Sequence, residues 1–362
     1  VSARGGANGG AQRAASILSA RGLAIGWGGR AERVLASGID LDAEAGQLSI
    51  LVGPNGSGKS TLLRTLIGIQ APMAGSVGIC GDEIGKLSVE ERSRRAASVF
   101  TDRCEAGYFT VFDIVAFGRY PYTDARGRLE EGDRQAVRGA LAAVGLSGLS
   151  SRPFSELSDG ERQKAQIARA IAQDCPLLVL DEPTAFLDVQ ARVEIFHIAR
   201  RLARNGIRGK AIVLSTHDID LALRFADRLW LMDGAHRFRS GTPEDLVVSG
   251  AVGRAFDGEG FRFDARSGAF RSTEALSPPL VEIIGAEGVS RTWTVRLAER
   301  LGLAIAGATT ASAPAPIASV RIEESEGGPL FTVAIAGQGA ARRVEAASYE
   351  ELAAILEGLA AR

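Results

Sequence analysis

The run Gly53, Pro54, Asn55, Gly56, Ser57, Gly58, Lys59, Ser60 and Thr61 stands between two apolar segments, Leu48 to Val52 before it and Leu62 to Ile69 after it. The run from Leu48 to Gly53 does not alternate, which predicts a buried strand, and the second segment has helical character. That context, together with the spacing from Gly53 to Gly58-Lys59-Ser60, matches a P-loop. Backbone N–H groups from Asn55 to Lys59 point inward around phosphate oxygens, an approach that glycine permits. Lys59 then brings a fixed positive charge to the β- and γ-phosphates, Ser60 brings a hydroxyl to Mg²⁺, and the helix start adds its partial positive charge.

The remaining texture agrees with a globular chain. It has 362 residues, 46% hydrophobic and 23% charged, with 42 basic against 43 acidic side chains. This excludes a fully disordered protein. No stretch reaches the roughly 20 uncharged apolar residues that span a bilayer. The near-neutral balance argues against general attachment to nucleic acid. Cys80, Cys104 and Cys175 are odd in number and far apart, so they read as reduced, partly buried thiols.

Short buried strands at Leu177 to Leu180 and Ala211 to Ser215 alternate with helical patterns at Val193 to Asn205 and Ile219 to Phe225, which predicts an α/β fold with a largely parallel sheet. The expected organisation is a disordered leader over 1–21, a nucleotide-binding domain over 22–257 with an all-helical insertion at about 88–174, a linker over 258–279, and a small α+β unit over 280–362. Trp293, on a predicted helix of that last unit, is expected in its core.

Leu177 to Pro183 reads Leu-Leu-Val-Leu-Asp-Glu-Pro, an apolar strand closed by two carboxylates. Strand neighbours point to opposite sides. Asp181 is thereby placed to hold Mg²⁺, and Glu182, past the edge, to reach a water attacking the γ-phosphate. Two acids closing a buried strand are costly without such partners.

Leu157 to Gln163, Leu-Ser-Asp-Gly-Glu-Arg-Gln, begins 20 residues before Leu177, and Ala185 to Asp188 and Ser215 to Asp218 follow in order. Together these motifs resemble the nucleotide-binding subunit of an ATP-binding cassette (ABC) transporter over about residues 22–250. The resemblance implies a P-loop NTPase sheet domain that binds ATP and Mg²⁺ and hydrolyses ATP. It also implies two copies closing head to tail around two nucleotides, so that Ser158 and Gly160 of one meet the γ-phosphate held by Lys59 of the other. His217 would contact that phosphate and orient Glu182 and the water, Asp188 would line the seam, and Trp27 would stack on adenine.

Two departures from the family pattern stand out. Where the family has Gln at the end of the strand entering the helical insertion, this chain offers Asp102, which binds Mg²⁺ but cannot donate a hydrogen bond. The signature places Asp159 and Glu161 where Gly and Gln are usual, and their charge is expected to weaken ATP-driven closure.

Thr110 to Tyr122, TVFDIVAFGRYPY, resembles the corresponding stretch of importers for ferric siderophores, haem and cobalamin. There Phe112, Val115 and Phe117 would form an apolar socket for a permease, with Arg119 and Tyr120 as its rim. The resemblance implies permease subunits on separate chains, a periplasmic or lipoprotein substrate-binding protein acting indirectly, and a peripheral place on the cytoplasmic face of the cell membrane. An exporter subunit and a soluble regulatory or nucleic-acid-associated ATPase remain as alternatives. Cargo does not touch such a subunit, so its identity is not legible here.

Overall fold

The structure is a computed structural model that describes residues 16–28, 33–100, 107–124, 126–204, 209–258, 261–272, 279–306, 315–325, 328–336 and 342–360. The chain divides into two compact units, one of residues 1–257 with 263–269 and the other of residues 258–262 with 270–362.

The first unit opens with two long antiparallel strands, β1 (Ser16–Trp27) and β2 (Arg33–Glu44). The predicted leader therefore ends earlier than expected. Leu18 and Ala20 are buried while Arg21 is exposed, the alternation of a half-buried strand. β3 (Leu48–Val52) is buried at all its positions and leads through the P-loop into α1 (Lys59–Leu66). β4 (Ala74–Ile79) pairs with β1, and β5 (Asp82–Glu83) with β4, completing a four-stranded antiparallel sheet in the order β2-β1-β4-β5.

The segment expected to be helical begins with α2 (Val89–Ser93) but then contributes β6 (Ala96–Val99) to the second sheet. Three helices follow: α3 (Val111–Ala116), α4 (Glu131–Ala143) and α5 (Asp159–Ala172). Their inner faces, among them Val115, Val137, Leu141, Ala165 and Ala168, belong to one apolar cluster with the sheet residues Leu178, Leu180 and Leu214. β7 (Leu177–Leu180), α6 (Val189–Arg204), β8 (Ala211–Ser215), α7 (Ile219–Phe225), β9 (Arg228–Met232) and β10 (Phe238–Gly241) complete a six-stranded sheet, ordered β10-β9-β3-β8-β7-β6. All its pairings are parallel except β10 with β9. The carboxyl ends of β3, β8 and β7 consequently lie side by side, where parallel sheets hold their ligands.

Two short helices, α8 (Pro243–Val248) and α9 (Ala251–Phe256), close this unit. The expected linker instead contains a strand pair, β11 (Phe261–Asp264) and β12 (Ala269–Ser272), turned by Asp264, whose carboxylate accepts from Arg266 N–H and the Ser267 hydroxyl. The second unit is a five-stranded sheet with two helices. Its elements are β13 (Leu280–Ile284), α10 (Val289–Arg300), β14 (Ala304–Ile305), β15 (Ala318–Ser325), β16 (Gly328–Ile335), β17 (Arg342–Ala346) and α11 (Tyr349–Ala360), with strand order β14-β13-β15-β16-β17. Val281, Val320, Phe331 and Val333 point to one face and pack with Leu297 of α10 and Leu352 and Leu356 of α11. Trp293 is not in that core. It is 53% exposed with the Arg296 guanidinium 5.0 Å from its ring centre, because Thr294, Leu297 and Ala298 supply the buried face of α10.

Among the described residues no helix is long and apolar enough to cross a membrane. Cys175 is buried, and burial pushes its thiol up to about 12, whereas Cys80 is exposed rather than partly buried. Cys104 and Asp102 lie outside the described residues.

Candidate active site

The P-loop is shaped by close packing against β9. A Cβ added to Gly53 would stand 2.3 Å from Met232 O, and Gly58, at the N-cap of α1, has φ of 102° in the region open to glycine. Ser57 Oγ is buried within the loop without a hydrogen-bond partner, an orphan that a phosphate oxygen would satisfy. Lys59 is 5% exposed, and its Nζ donates to Gly53 O at 2.9 Å and to Pro54 O at 3.3 Å. Burial lowers the pKa of its ammonium, an effect partly offset by the carboxylates of Glu182 and Asp181. Asn55 and Gly56 are exposed at the loop's tip, Pro54 and Ser60 are half-buried, and Thr61 is buried at the first turn of α1.

Asp181 follows β7 and is 2% exposed. Its Oδ1 accepts from Ser215 Oγ at 2.6 Å, and the same Ser215 Oγ accepts from the backbone N–H of Glu182 at 2.9 Å. One buried hydroxyl thus links both carboxylate residues to the end of β8. Glu182 adopts φ of 49°, unusual for a residue with a side chain and of the kind that clusters at functional sites. This turn carries its Oε1 to 2.6 Å from His217 Nε2 and 3.9 Å from Lys59 Nζ. His217 is held just before α7, where Asp218 caps the helix by accepting from Leu221 N–H at 3.1 Å.

Lys59, Asp181, Glu182 and His217 are therefore brought together in one copy beyond the ends of three neighbouring parallel strands, Lys59 through the P-loop after β3, Asp181 and Glu182 after β7, and His217 after β8. A carboxylate beside an imidazole and an ammonium, open to solvent on one side, can orient a water and take its proton while the cations face developing negative charge. For Mg²⁺ the donor set is hard oxygen, from the Ser60 hydroxyl and the Asp181 carboxylate. That suits an ion which keeps several waters and phosphate oxygens. Among the described residues no cluster of three or more His, Cys, Asp or Glu side chains forms a cation cage.

The other expected site residues are not in this cluster. Ser158 and Asp188 are exposed and Gly160 is half-buried. Ser158 caps α5, and Asp188 Oδ1 accepts from Ala191 N–H at 2.8 Å at the start of α6. Trp27 ends β1 and is 51% exposed, its neighbour Gly26 offering a carbonyl to the Gln70 amide.

The segment Thr110 to Tyr122 needs correction in detail. Val115 is fully buried in the core and is no part of a surface socket. Arg119 is not a rim residue either, since its Nε pairs with Asp133 Oδ1 at 2.9 Å and its Nη1 donates to Ala172 O at 2.8 Å, with both ion-pair partners nearly buried. The exposed apolar surface comes instead from Phe109, Phe117, Tyr120 and Tyr122, with Phe109 and Phe117 packed edge to face at 5.2 Å. Beside it a cleft of about 540 Å³ is lined by Ile67, Ile69, Val89, Arg92, Phe117 and Gln173.

Ser215 was not singled out as an acting residue from the sequence. Ser215 is the first residue of the Ser-Thr-His-Asp run, and its burial at the end of β8 was the signal available.

Residues 36–185 match the family model described as ABC transporter. An uncharacterised ABC transporter ATP-binding protein of Methanocaldococcus jannaschii is 40% identical over 241 residues, 67% of this chain and 81% of that one. A cobalamin import ATP-binding protein of Halobacterium salinarum is also 40% identical, over 59% of this chain but only 52% of its own length. Iron(3+)-hydroxamate and hemin import ATP-binding proteins are further relatives, at 34–39% identity. Among solved structures, one described as an inward-facing conformation of a metal-chelate type ABC transporter aligns with a TM-score of 0.58 at 27% identity, covering 67% of this chain and 89% of that one.

Proposed function

Because the chain belongs to the ATP-binding subunits of ABC transporters, and is thus an ATPase, we propose that it drives an importer for ferric siderophores, haem or cobalamin-type compounds. The carrying observation is the Glu182 carboxylate held 2.6 Å from His217 and 3.9 Å from Lys59 at adjacent strand ends. In this reading the P-loop from Gly53 to Thr61 holds the phosphates and Trp27 stacks on adenine. Mg²⁺, which would neutralise charge on the phosphates, is held by Ser60 and Asp181 together with Asp102. Glu182 is the base that takes the proton of the attacking water. His217 orients Glu182 and faces the γ-phosphate, and Lys59 faces the charge that grows as the bond to that phosphate breaks.

Two copies close head to tail. Ser158 and Gly160 lie at the open start of α5, so the helix N-terminus meets the γ-phosphate of the other copy, with Asp188 along the seam. The exposed aromatic surface around Phe117 and its adjoining cleft receive a segment of an integral membrane permease on a separate chain, leaving this subunit peripheral at the cytoplasmic face. The small C-terminal unit is an accessory domain outside the catalytic core. The iron-chelate and cobalamin class is supported by what the relatives are named for and by the Thr110 to Tyr122 segment.

Glu182→Gln tests the chemistry. It should lower turnover by about 10²- to 10⁴-fold while preserving ATP binding, so that Mg²⁺ and ATP drive the protein into a stable dimer seen by light scattering. Near-normal hydrolysis by that variant would refute the assigned base. Purification from membranes with an attached multi-span permease tests the transport role, and its recovery with ribosomes or RNA alone would overturn it.

A further inference from the structure

The hydroxyl that is to meet the second copy's γ-phosphate is already engaged. Ser158 Oγ donates to Glu161 Oε2 at 2.9 Å, the Ser158 backbone N–H donates to the same oxygen at 2.9 Å, and Glu161 N–H donates back to Ser158 Oγ at 3.3 Å. This reciprocal arrangement is a capping box. The backbone and hydroxyl donors of Ser158 hold the Glu161 carboxyl below the usual carboxylate range, so the group is an anion at neutral pH. Nearby cations form their ion pairs with other carboxylates, Arg152 with Glu156 at 3.4 Å, Arg162 with Asp159 at 3.3 Å and Lys164 with Glu194 at 2.5 Å, although Arg152 and Lys164 also favour the Glu161 anion from further away. Among the described residues none forms an ion pair with Glu161.

We propose that Glu161 is an electrostatic latch on nucleotide-driven closure, holding the Ser158 hydroxyl and keeping a negative charge beside it until the second copy's γ-phosphate takes that hydrogen bond away. The inference rests on the head-to-tail reading. A serine hydroxyl has one proton to donate, so carboxylate and phosphate compete for it, and while they compete the two anions repel each other. Glutamine at this position accepts the same two hydrogen bonds through its amide oxygen, keeping the cap and removing the charge. Glu161 is a positioning residue, since it acts through Ser158 and need not touch the nucleotide.

The test uses the full chain carrying Glu182→Gln, titrated with ATP in excess Mg²⁺, with the dimer fraction read by analytical ultracentrifugation. Adding Glu161→Gln should lower the ATP concentration for half-maximal dimer about three- to tenfold, the range open to a water-exposed charge pair. The gap should narrow as salt rises from about 0.05 to about 0.5 M. The melting midpoint should fall less for Glu161→Gln, which loses only the charge at the helix start, than for Glu161→Ala, which loses the cap too, separating capping from the latch. In the chain with Glu182 intact, Glu161→Gln should lower KM for ATP with kcat little changed. An unchanged or higher half-point with dimers forming normally overturns the latch alone. Failure of the parent variant to dimerise at any ATP concentration overturns the head-to-tail reading and the latch with it.

Discussion

Removing the Ser215 hydroxyl tests whether the Asp181 carboxylate and the Glu182 backbone are held by one buried link. Ser215 is fully buried, donates to Asp181 Oδ1 at 2.6 Å and accepts from Glu182 N–H at 2.9 Å. Ser215→Ala adds no atom and leaves both groups without that partner. Each orphaned buried group costs about 1–3 kcal/mol, so about 2–4 kcal/mol is expected once partial relaxation is allowed. For a unit of this size 1 kcal/mol moves the midpoint by about 2–4 °C, which gives a drop of about 4–16 °C by calorimetry. The catalytic effect is separate. Glu182 keeps its left-handed backbone only while its surroundings hold it there, and Asp181 loses the bond that aims its carboxylate. A loss of about 10- to 100-fold in kcat is expected, the usual effect of removing a group that orients metal-binding side chains. ATP affinity should change little, because the P-loop is untouched. A kcat within about twofold of the parent with a melting shift under about 2 °C would refute the link.

Trp27→Ala should weaken ATP binding by about 5- to 100-fold if its exposed ring stacks on the base, and Trp27→Tyr should restore most of the loss. Unchanged affinity measured by calorimetry would assign the ring to packing alone. Removing residues 280–362 should leave basal ATPase within about twofold, since among the described residues the two apolar clusters of the first unit are built from positions up to Phe263. Complete loss of turnover would make that unit part of the catalytic body.

The sheet and its P-loop were legible because buried parallel strands leave unbroken apolar runs, and Leu48–Val52, Leu177–Leu180 and Ala211–Ser215 all carry one. The motifs at their ends then located Lys59, Asp181, Glu182 and His217. β6 was absorbed into a segment read as helical, since four residues flanked by helices give no period to detect. The start of β1 was hidden because Ser16–Arg21 follows a stretch of similar small and basic residues. Arg119 shows a different limit. Its sequence neighbours suggest an interface, whereas its partner Asp133 comes from another helix and only three-dimensional packing pairs them. The charge of Glu161 was legible as a brake on closure, but its hold on the Ser158 hydroxyl was not, because a spacing of three announces a cap without showing the carboxylate accepting from that hydroxyl.

The left-handed turn at Glu182 has a wider consequence for how such a motor can be damaged. Glycine adopts that backbone without strain but with more freedom, so a single change to glycine would erase the base and also loosen the turn that leads from β7 toward Asp188. Changes that keep a side chain there retain the bend but alter its chemistry. The two kinds of lesion should therefore separate in the laboratory, one yielding a subunit that clamps without cutting and the other a subunit that no longer clamps well.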